Sequence, residues 1–305
     1  MPPAKTIGRS GNLPELRKVR TETLEIAYLE DGPPDAETVV LVHGFPDDAT
    51  TWNGVSERLV AAGYRTLAPY LRGYGQTRFL ENRTVRSGQI AALGQDLMDF
   101  IEALDLRDIV LVGHDWGARA AYIAAALMSE RVEKLVALAV GYGTNDPDQR
   151  LPLLQTRNYW YQWFLNTGKG SRELKENRRD FCRYLWRLWS PGWSFTAGEF
   201  EATARSFENP DFVEIAVHSY RHRWGNAPSD PSYSALEEKL AGPPEISVPT
   251  IVLMGADDGA TLPELSEGKE LFFTGSYRRE VLPEVGHFVQ RERPDAVLKA
   301  VTGAV

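Results

Sequence analysis

Cysteine is almost absent, since Cys182 is the single one among 305 residues. An intramolecular disulfide and a cysteine cluster for structural zinc are therefore both excluded, and this usage fits a reducing compartment. No apolar run approaches the ~20 residues needed to cross a bilayer. The first residues, Met1 to Lys5, lead into polar sequence rather than into the apolar centre of a signal peptide. We therefore predict a cytoplasmic protein without membrane contact.

Positive charge is also in deficit, with 34 Lys and Arg against 42 Asp and Glu and a net charge of −8. Because nucleic-acid binding needs a basic surface that neutralises phosphates, this class of protein is disfavoured. Hydrophobic residues make up 43% of the chain, which is ordinary for a globular protein with a full core. The length fits one large α/β domain, or a core domain with an insertion, and we expect a monomer or homodimer.

Short strand-like runs alternate with helical patterns along most of the chain. A run at 19–29 partly alternates and indicates an edge strand or hairpin, whereas the continuously apolar run 38–42 is typical of a strand buried on both faces. Further strands are predicted at 64–69, 108–112, 134–140, 250–254 and 279–282, and helices at 84–105, 116–128 and from about 294. This alternation predicts an α/β fold with a doubly wound, mostly parallel sheet.

One segment, residues 145–230, breaks the pattern. It has many arginines, little strand signal and six of the eight tryptophans, namely Trp160, Trp163, Trp186, Trp189, Trp193 and Trp224. We predict that it forms a helical cap inserted into a core made of residues 1–144 and 231–305.

The motif Gly113-His114-Asp115-Trp116-Gly117 lies between a buried-type strand and a helix. A nucleophile elbow needs this context, because its central residue occupies a strained turn and the residues two before and two after must be small. In esterases the central residue is serine, whereas here it is Asp115. The alternative is an ordinary strand-to-helix turn with Asp115 as helix N-cap.

A second motif, His43-Gly44-Phe45-Pro46, follows the strand 38–42. An oxyanion hole needs two converging backbone N–H groups. We expect one from Trp116, directly after the nucleophile, and the other from Phe45. A simple turn at Gly44 and Pro46 is the alternative.

The third signal is an acid followed by a histidine, each after a strand. Asp258 comes three residues after the strand-ending Gly255, and Gly286-His287-Phe288 follows the next strand. The order nucleophile, acid, histidine fits a triad in which the carboxylate orients the imidazole. Asp257, which turn formation would equally explain, and Asp146 are the less favoured acids.

These motifs, together with Leu71-Arg72-Gly73-Tyr74-Gly75, resemble those of the α/β-hydrolase-fold epoxide hydrolases and dehalogenases. The resemblance covers nearly the whole chain and implies the α/β-hydrolase fold with a cap, an Asp115 nucleophile, and neither cofactor nor metal. One departure is Tyr70, where these families usually have aspartate.

The resemblance also implies how the leaving group is handled. In both families the carboxylate attacks carbon, and water activated by the histidine then hydrolyses the ester. Epoxide hydrolases use two cap tyrosines to hold the epoxide oxygen, and Tyr161 and Tyr220 match their positions. Tyr159 and Tyr184 are fallback candidates, and aromatic packing alone is the alternative role for these tyrosines. We predict an enzyme that opens apolar epoxides to vicinal diols.

Two alternatives stay open. Haloalkane dehalogenases pair a tryptophan such as Trp116 with a second halide donor, often an asparagine where this chain has Phe45, although some use a cap tryptophan. Fluoroacetate dehalogenases place arginine where this chain has Trp116 and again where it has Arg119. For Arg119 we favour an ordinary ion pair, and for the cap arginines a solvated helix face. A silent ligand-binding protein of the same fold is the remaining alternative.

Overall fold

The computed structural model describes residues 14–146 and 148–303. Within them lies a nine-stranded sheet with the order β1-β2-β4-β3-β6-β7-β8-β9, and β5 pairs with β2. The strands are β1 (Glu15–Arg20), β2 (Leu24–Asp31), β3 (Thr38–Val42), β4 (Arg65–Pro69), β5 (Arg78–Phe79), β6 (Ile109–His114), β7 (Val132–Leu138), β8 (Thr250–Gly255) and β9 (Tyr277–Leu282).

The strand directions confirm the predicted architecture. β1 and β2 form an antiparallel hairpin at one edge, and β2 is antiparallel to β4. Every pairing from β4 through β3, β6, β7 and β8 to β9 is parallel. Because the connections between parallel strands return to the same edge, the loops that follow β3, β6, β8 and β9 meet at the carboxyl end of the sheet.

Helices cover both faces of this sheet. They are α1 (Asn53–Ala61), α2 (Ile90–Ala103), α3 (Trp116–Leu127), α9 (Ser234–Leu240), α10 (Val289–Glu292) and α11 (Pro294–Thr302). Alternate residues of β3 point to opposite sides, so that Val40 packs in the cluster with α2 and α3, while Val39 packs with α1 and α11. The sheet is therefore doubly wound, as the alternating sequence pattern predicts.

Between β7 and β8 the chain forms a largely helical segment, residues 153–223, which we call the helical segment. Its helices are α4 (Leu153–Asn158), α5 (Trp160–Leu165), α6 (Gly168–Trp189), α7 (Ala197–Ala204) and α8 (Phe212–Arg223). Since β7 and β8 are direct neighbours in the sheet, the chain leaves and re-enters the sheet at adjacent positions.

Several details differ from the sequence prediction. The helix predicted at 84–105 is α2, which begins only at Ile90. β7 is predicted at 134–140 but begins at Val132, because its first residue already pairs with Ile109 of β6. Neither α1 nor the two-residue β5 was predicted, since α1 buries only Val55, Ser56 and Leu59 and has a weak apolar stripe.

Among the described residues, no helix combines the length and apolarity needed to span a membrane.

Tyr70, which stands where the resembled families usually have aspartate, packs against a nearby turn. A Cβ atom on Gly75 would lie 2.4 Å from the Tyr70 ring, and Gly75 has a φ of +49°. Tyr70 therefore covers a position that only glycine can occupy.

Candidate active site

Asp115 occupies the turn between β6 and α3 with φ 50° and ψ −114°. A positive φ is strained for a non-glycine residue, and such strain is typical of functional turns. The side chain makes no capping hydrogen bond to α3. Instead its Oδ2 accepts a hydrogen bond of 3.0 Å from the backbone N–H of Phe45. Asp115 therefore occupies the N-cap position of α3, but its side chain does not cap the helix.

Glycines make this turn possible because backbones approach closely on every side of it. A Cβ on Gly113 would lie 2.5 Å from the Gly117 carbonyl oxygen, and a Cβ on Gly117 would lie 2.1 Å from the Val42 carbonyl oxygen. A Cβ on Gly44 would lie 2.6 Å from the Cβ of Asp115. The small residues of both motifs therefore bring the two loops together around Asp115.

Replacing Gly117 with alanine is expected to lower the free energy of unfolding by about 3 kcal/mol or more, because the obstructing atoms are backbone and cannot move aside. Urea denaturation followed by circular dichroism measures this loss. Gly192→Ala is the matched control, since no atom lies within 4 Å of a Cβ there, and it should change stability by no more than ~0.5 kcal/mol. Equal midpoints for the two variants would contradict the close approach.

The two predicted oxyanion-hole donors lie on either side of Asp115. Trp116 begins α3, where the first N–H groups have no partner within the helix. The loop carrying Phe45 is fixed by His43, whose Nε2 accepts from the Leu71 N–H at 3.1 Å. Burial lowers the pKa of His43 to about 4, so the ring stays neutral and can keep this acceptor role. His43 therefore shapes the loop rather than carrying charge.

Asp258 and His287 form a buried pair. His287 Nδ1 lies 2.8 Å from Asp258 Oδ2, and Asp258 Oδ1 accepts from the N–H groups of Ala260 and Thr261 at 2.7 and 2.8 Å. Since Nδ1 then carries the proton, His287 Nε2 is left as the proton acceptor, and this buried atom has no partner among the described residues. The other candidate acids, Asp257 and Asp146, are both exposed.

The environment of His287 makes it a stronger base than an exposed histidine. Burial lowers its pKa, but the charge of Asp258, the hydrogen bond to Asp258 and the charge of Asp115 outweigh burial and raise the pKa above its ordinary value. The proton-accepting form of the ring is therefore lost as the pH falls through this raised pKa.

The end of α6 holds both loops of this pair, a contact that the sequence did not predict. The Trp189 carbonyl accepts the N–H groups of Gly259 and His287, each at 3.0 Å. The next residue, Ser190, accepts the Phe288 N–H at 3.1 Å and donates to Glu292 at 2.7 Å. The helical segment thus positions the acid and the histidine together.

Aromatic rings connect the loops around Asp115 with the helical segment. Phe45 and Trp116 stack at 5.3 Å, and the ring of Tyr220 lies 5.3 Å from Phe45 and 5.6 Å from Trp116. The ring of Tyr161 lies 5.3 Å from that of Tyr220 and 4.8 Å from that of Trp189. The ring of Trp189 in turn lies 5.0 Å from His287. The ring contacts therefore run from the loops around Asp115 through Tyr220, Tyr161 and Trp189 to His287.

A hydrogen-bond chain orients the hydroxyl of Tyr161. The indole N–H of Trp224 can only donate, and it donates to Gln162 Oε1 at 2.9 Å. The Gln162 amide nitrogen must then face Tyr161, to whose hydroxyl oxygen it donates at 2.8 Å. Because an acceptor site of the phenol oxygen is occupied in this way, its own proton is left free to be donated elsewhere.

Both phenols keep their protons at neutral pH. Burial, followed by the charge of Asp115, raises the pKa of Tyr161, and burial raises the pKa of Tyr220 well above its ordinary value. The fallback candidates differ from these two tyrosines in their surroundings. Tyr184 is 57% exposed, and Tyr159 is buried beneath the guanidinium of Arg223. Of the four tyrosines, Tyr161 and Tyr220 thus have the contacts expected of proton donors.

Comparison with known proteins places the chain in a family. Residues 39–300 match the alpha/beta hydrolase family. The chain is similar to a solved chain from Klebsiella pneumoniae subsp. pneumoniae that is described as a candidate epoxide hydrolase, with 39% identity and a TM-score of 0.91 over 95% of this chain and 97% of that one.

Two further relatives cover nearly the whole chain. Epoxide hydrolase A of Mycobacterium tuberculosis is 29% identical over 94% of this chain and 96% of its own length. The solved Epoxide Hydrolase A of Mycobacterium thermoresistibile is 26% identical, with a TM-score of 0.74 over 95% of this chain and 97% of that one. The family match spans well over half of the sequence and agrees with the observed sheet, so this chain belongs to the alpha/beta hydrolase family.

Proposed function

We propose that this protein is an epoxide hydrolase, an enzyme that adds water to an epoxide to give a vicinal diol. The observation that carries the proposal is the pair of buried phenols, Tyr161 and Tyr220, beside a strained carboxylate. An opening epoxide develops an alkoxide, which is strongly basic and needs a proton donor. The epoxide hydrolase names of the similar proteins support the same activity and a small-molecule substrate.

In the first step Asp115 attacks an epoxide carbon. Its Oδ2 is held by the Phe45 N–H, so the attack falls to Oδ1. A carbon–Oδ1 bond forms as the carbon–oxygen bond of the ring breaks, and the ring oxygen takes a proton from Tyr161 or Tyr220. The result is an ester between the substrate and Asp115.

In the second step His287 Nε2 takes a proton from water, and the hydroxide adds to the ester carbonyl carbon of Asp115. Negative charge then develops on Oδ2, where the N–H groups of Phe45 and Trp116 stabilise it. Asp258 stabilises the protonated imidazole through Nδ1. When the bond between the ester carbonyl carbon and the substrate oxygen breaks, the imidazole gives its proton to the departing diol. Asp115 is then a carboxylic acid that carries the second proton of the water, and this proton passes to the tyrosinate, which restores the Asp115 carboxylate and the tyrosine.

A single-turnover reaction in heavy-oxygen water tests this order of events. With enzyme in excess over styrene oxide, we expect the label in the side chain of Asp115 and unlabelled diol, because water attacks the ester rather than the epoxide. Peptide mass spectrometry locates the label. Labelled diol with an unlabelled Asp115 would show direct attack by water and exclude the ester.

Dehalogenation is the second candidate, and one observation favours it. The indole nitrogen of Trp189 is buried, has no partner among the described residues, and belongs to the ring beside Tyr161 and His287. With Trp116 it offers a second indole N–H for a halide. Epoxide opening remains the stronger proposal because phenols supply the proton that an alkoxide needs and a halide does not.

A binding protein without catalytic activity has no use for the buried Asp258 and His287 pair beside Asp115.

The site also supports the division into a core of residues 1–144 and 231–305 and a cap of residues 145–230. Tyr161 and Tyr220 come from the cap range, and Asp115, Asp258 and His287 come from the core range. The cytoplasmic location and the monomeric or homodimeric state stay predictions from composition.

A further inference from the structure

The loop between β9 and α10 has an acceptor for each of the three successive backbone N–H groups of residues 286–288. The first N–H donates to both carboxylate oxygens of Glu292 at 3.1 Å. The second, that of His287, donates to the Trp189 carbonyl oxygen at 3.0 Å, and the third donates to Ser190 Oγ at 3.1 Å. The backbone is therefore held on both sides of the imidazole.

Glu292 and Ser190 form one hydrogen-bonded unit around this loop. Ser190 Oγ accepts the Phe288 N–H, so its own proton is free and is donated to Glu292 Oε1 at 2.7 Å. A Cβ atom on Gly286 would lie 2.4 Å from both Cα and Oγ of Ser190, so only glycine allows this approach. Because Glu292 belongs to α10 and Ser190 directly follows α6, the unit joins segments that are 102 positions apart.

The carboxylate of Glu292 has no cationic partner. Among the described residues, no Lys, Arg or His nitrogen lies within 4.0 Å of it. Its neighbours in the chain bind elsewhere, since Arg291 pairs with Asp47 and Arg293 donates to the Glu292 carbonyl oxygen rather than to the side chain. Both carboxylate oxygens accept hydrogen bonds, as expected of the ionised form. Glu292 therefore keeps a negative charge that neutral donors alone hold.

Three carboxylates act on the imidazole of His287. Burial lowers its pKa, but the charge of Asp258, the hydrogen bond to Asp258, the charge of Asp115 and then that of Glu292 raise the pKa above its ordinary value. The ring of His114, 4.8 Å away, adds no charge because burial lowers the pKa of His114 well below its ordinary value. Since Asp115 is neutral while it carries an ester, Asp258 and Glu292 are the two of these carboxylates that then stabilise the protonated imidazole.

We propose that Glu292 is a positioning residue for the hydrolysis of the ester. Together with Ser190 it fixes the loop of His287, and its negative charge stabilises the imidazolium that forms when His287 takes a proton from water. The inference rests on the proposed epoxide hydrolase function for the step in which His287 acts. Because attack by Asp115 on the epoxide does not use the imidazole, Glu292 affects the second step and not the first.

Separate rates for the two steps test this role. Glu292→Gln keeps an oxygen that can accept the Gly286 N–H but removes the charge. Intact-protein mass spectrometry after rapid mixing with styrene oxide follows both formation and decay of the ester. We expect formation within about twofold of the unaltered rate, which also shows that the variant is folded, and decay slowed at least about tenfold by a misplaced base. Glu284→Gln, which removes an exposed charge two residues before Gly286, is the control and should leave both rates unchanged.

The pH profile separates the charge of Glu292 from its packing. Ester decay is lost as the pH falls through the pKa of His287, and removal of a nearby negative charge lowers that pKa. The acid limb of the decay rate should therefore move to lower pH in Glu292→Gln. Ser190→Ala removes hydrogen bonds but keeps the charge, so it should slow decay and leave the acid limb in place. An equal loss in both steps of Glu292→Gln, or an unmoved acid limb, would contradict the proposal.

A titration of the free protein keeps the test independent of turnover. The nuclear magnetic resonance signals of the His287 imidazole, assigned among the five histidines with His287→Gln, should titrate with a lower pKa in Glu292→Gln. If no epoxide is turned over but this difference is found, the role of Glu292 stands and the proposed function fails. If styrene oxide is hydrolysed but the titration and both rates of Glu292→Gln match those of the unaltered protein, the role of Glu292 is overturned and the proposed function stands.

Discussion

His287→Gln is expected to stop the enzyme at its ester, with turnover reduced by about 10²- to 10⁴-fold, the usual contribution of a general base. Attack by Asp115 does not use the imidazole, so the first step continues, whereas glutamine cannot take a proton from water. Intact-protein mass spectrometry after mixing with styrene oxide should show the added mass of one substrate. Peptide mapping should then locate this mass on Asp115.

The matched control for this variant is His222→Gln. His222 lies on α8, is partly exposed, and contacts Ser229 rather than any residue of the site. It should turn over styrene oxide normally and accumulate no adduct. Retained turnover in His287→Gln, without an adduct, would rule out His287 as the base that hydrolyses the ester.

The second large loss of epoxide turnover is expected for the double variant that combines Tyr161→Phe with Tyr220→Phe. Removing one preorganised donor to a developing oxyanion costs about 10²- to 10³-fold, so losing both phenols should reduce epoxide turnover by at least about 10³-fold. Each single variant should lose less, because the other phenol still donates. Phenylalanine keeps the aromatic packing, so the loss reports on the hydroxyl groups.

Halide release separates the two candidate reactions in the same double variant. A halide leaves without a proton, so release of bromide from bromoalkanes should be insensitive to the two hydroxyl groups if the protein has that activity. Tyr184→Phe, at a 57% exposed position, is the control and should leave epoxide turnover unchanged. A double variant that opens epoxides within tenfold of the unaltered rate would remove the observation on which the epoxide proposal depends.

The sequence could predict the parts of the site that are local. The Asp115 turn, the Phe45 loop and the His287 loop each depend on a short motif beside a strand, and glycine spacing together with apolar runs places them. The preference for Asp258 over Asp257 agrees with the contact to His287, because Asp258 is buried 2.8 Å from the imidazole whereas Asp257 is exposed.

Parts of the site that depend on packing between distant segments could not be predicted. Gln162 and Trp224, which orient Tyr161, are 62 positions apart. The contact between Arg119 and Thr144 likewise joins two elements across 25 positions. Arginine is usually paired or solvated, and only the tertiary structure reveals that Arg119 is buried without an ion-pair partner among the described residues.

The shared carbonyl of Trp189 has a consequence for the hydrolysis of the ester. Because one oxygen anchors both the acid loop and the histidine loop, any motion that pulls the end of α6 away from the sheet also misaligns Asp258 and His287. A displacement of this helix end would therefore disturb the acid and the general base together. The hydrolysis of an ester on Asp115 thus depends on the position of a helix end that is remote from Asp115 in sequence.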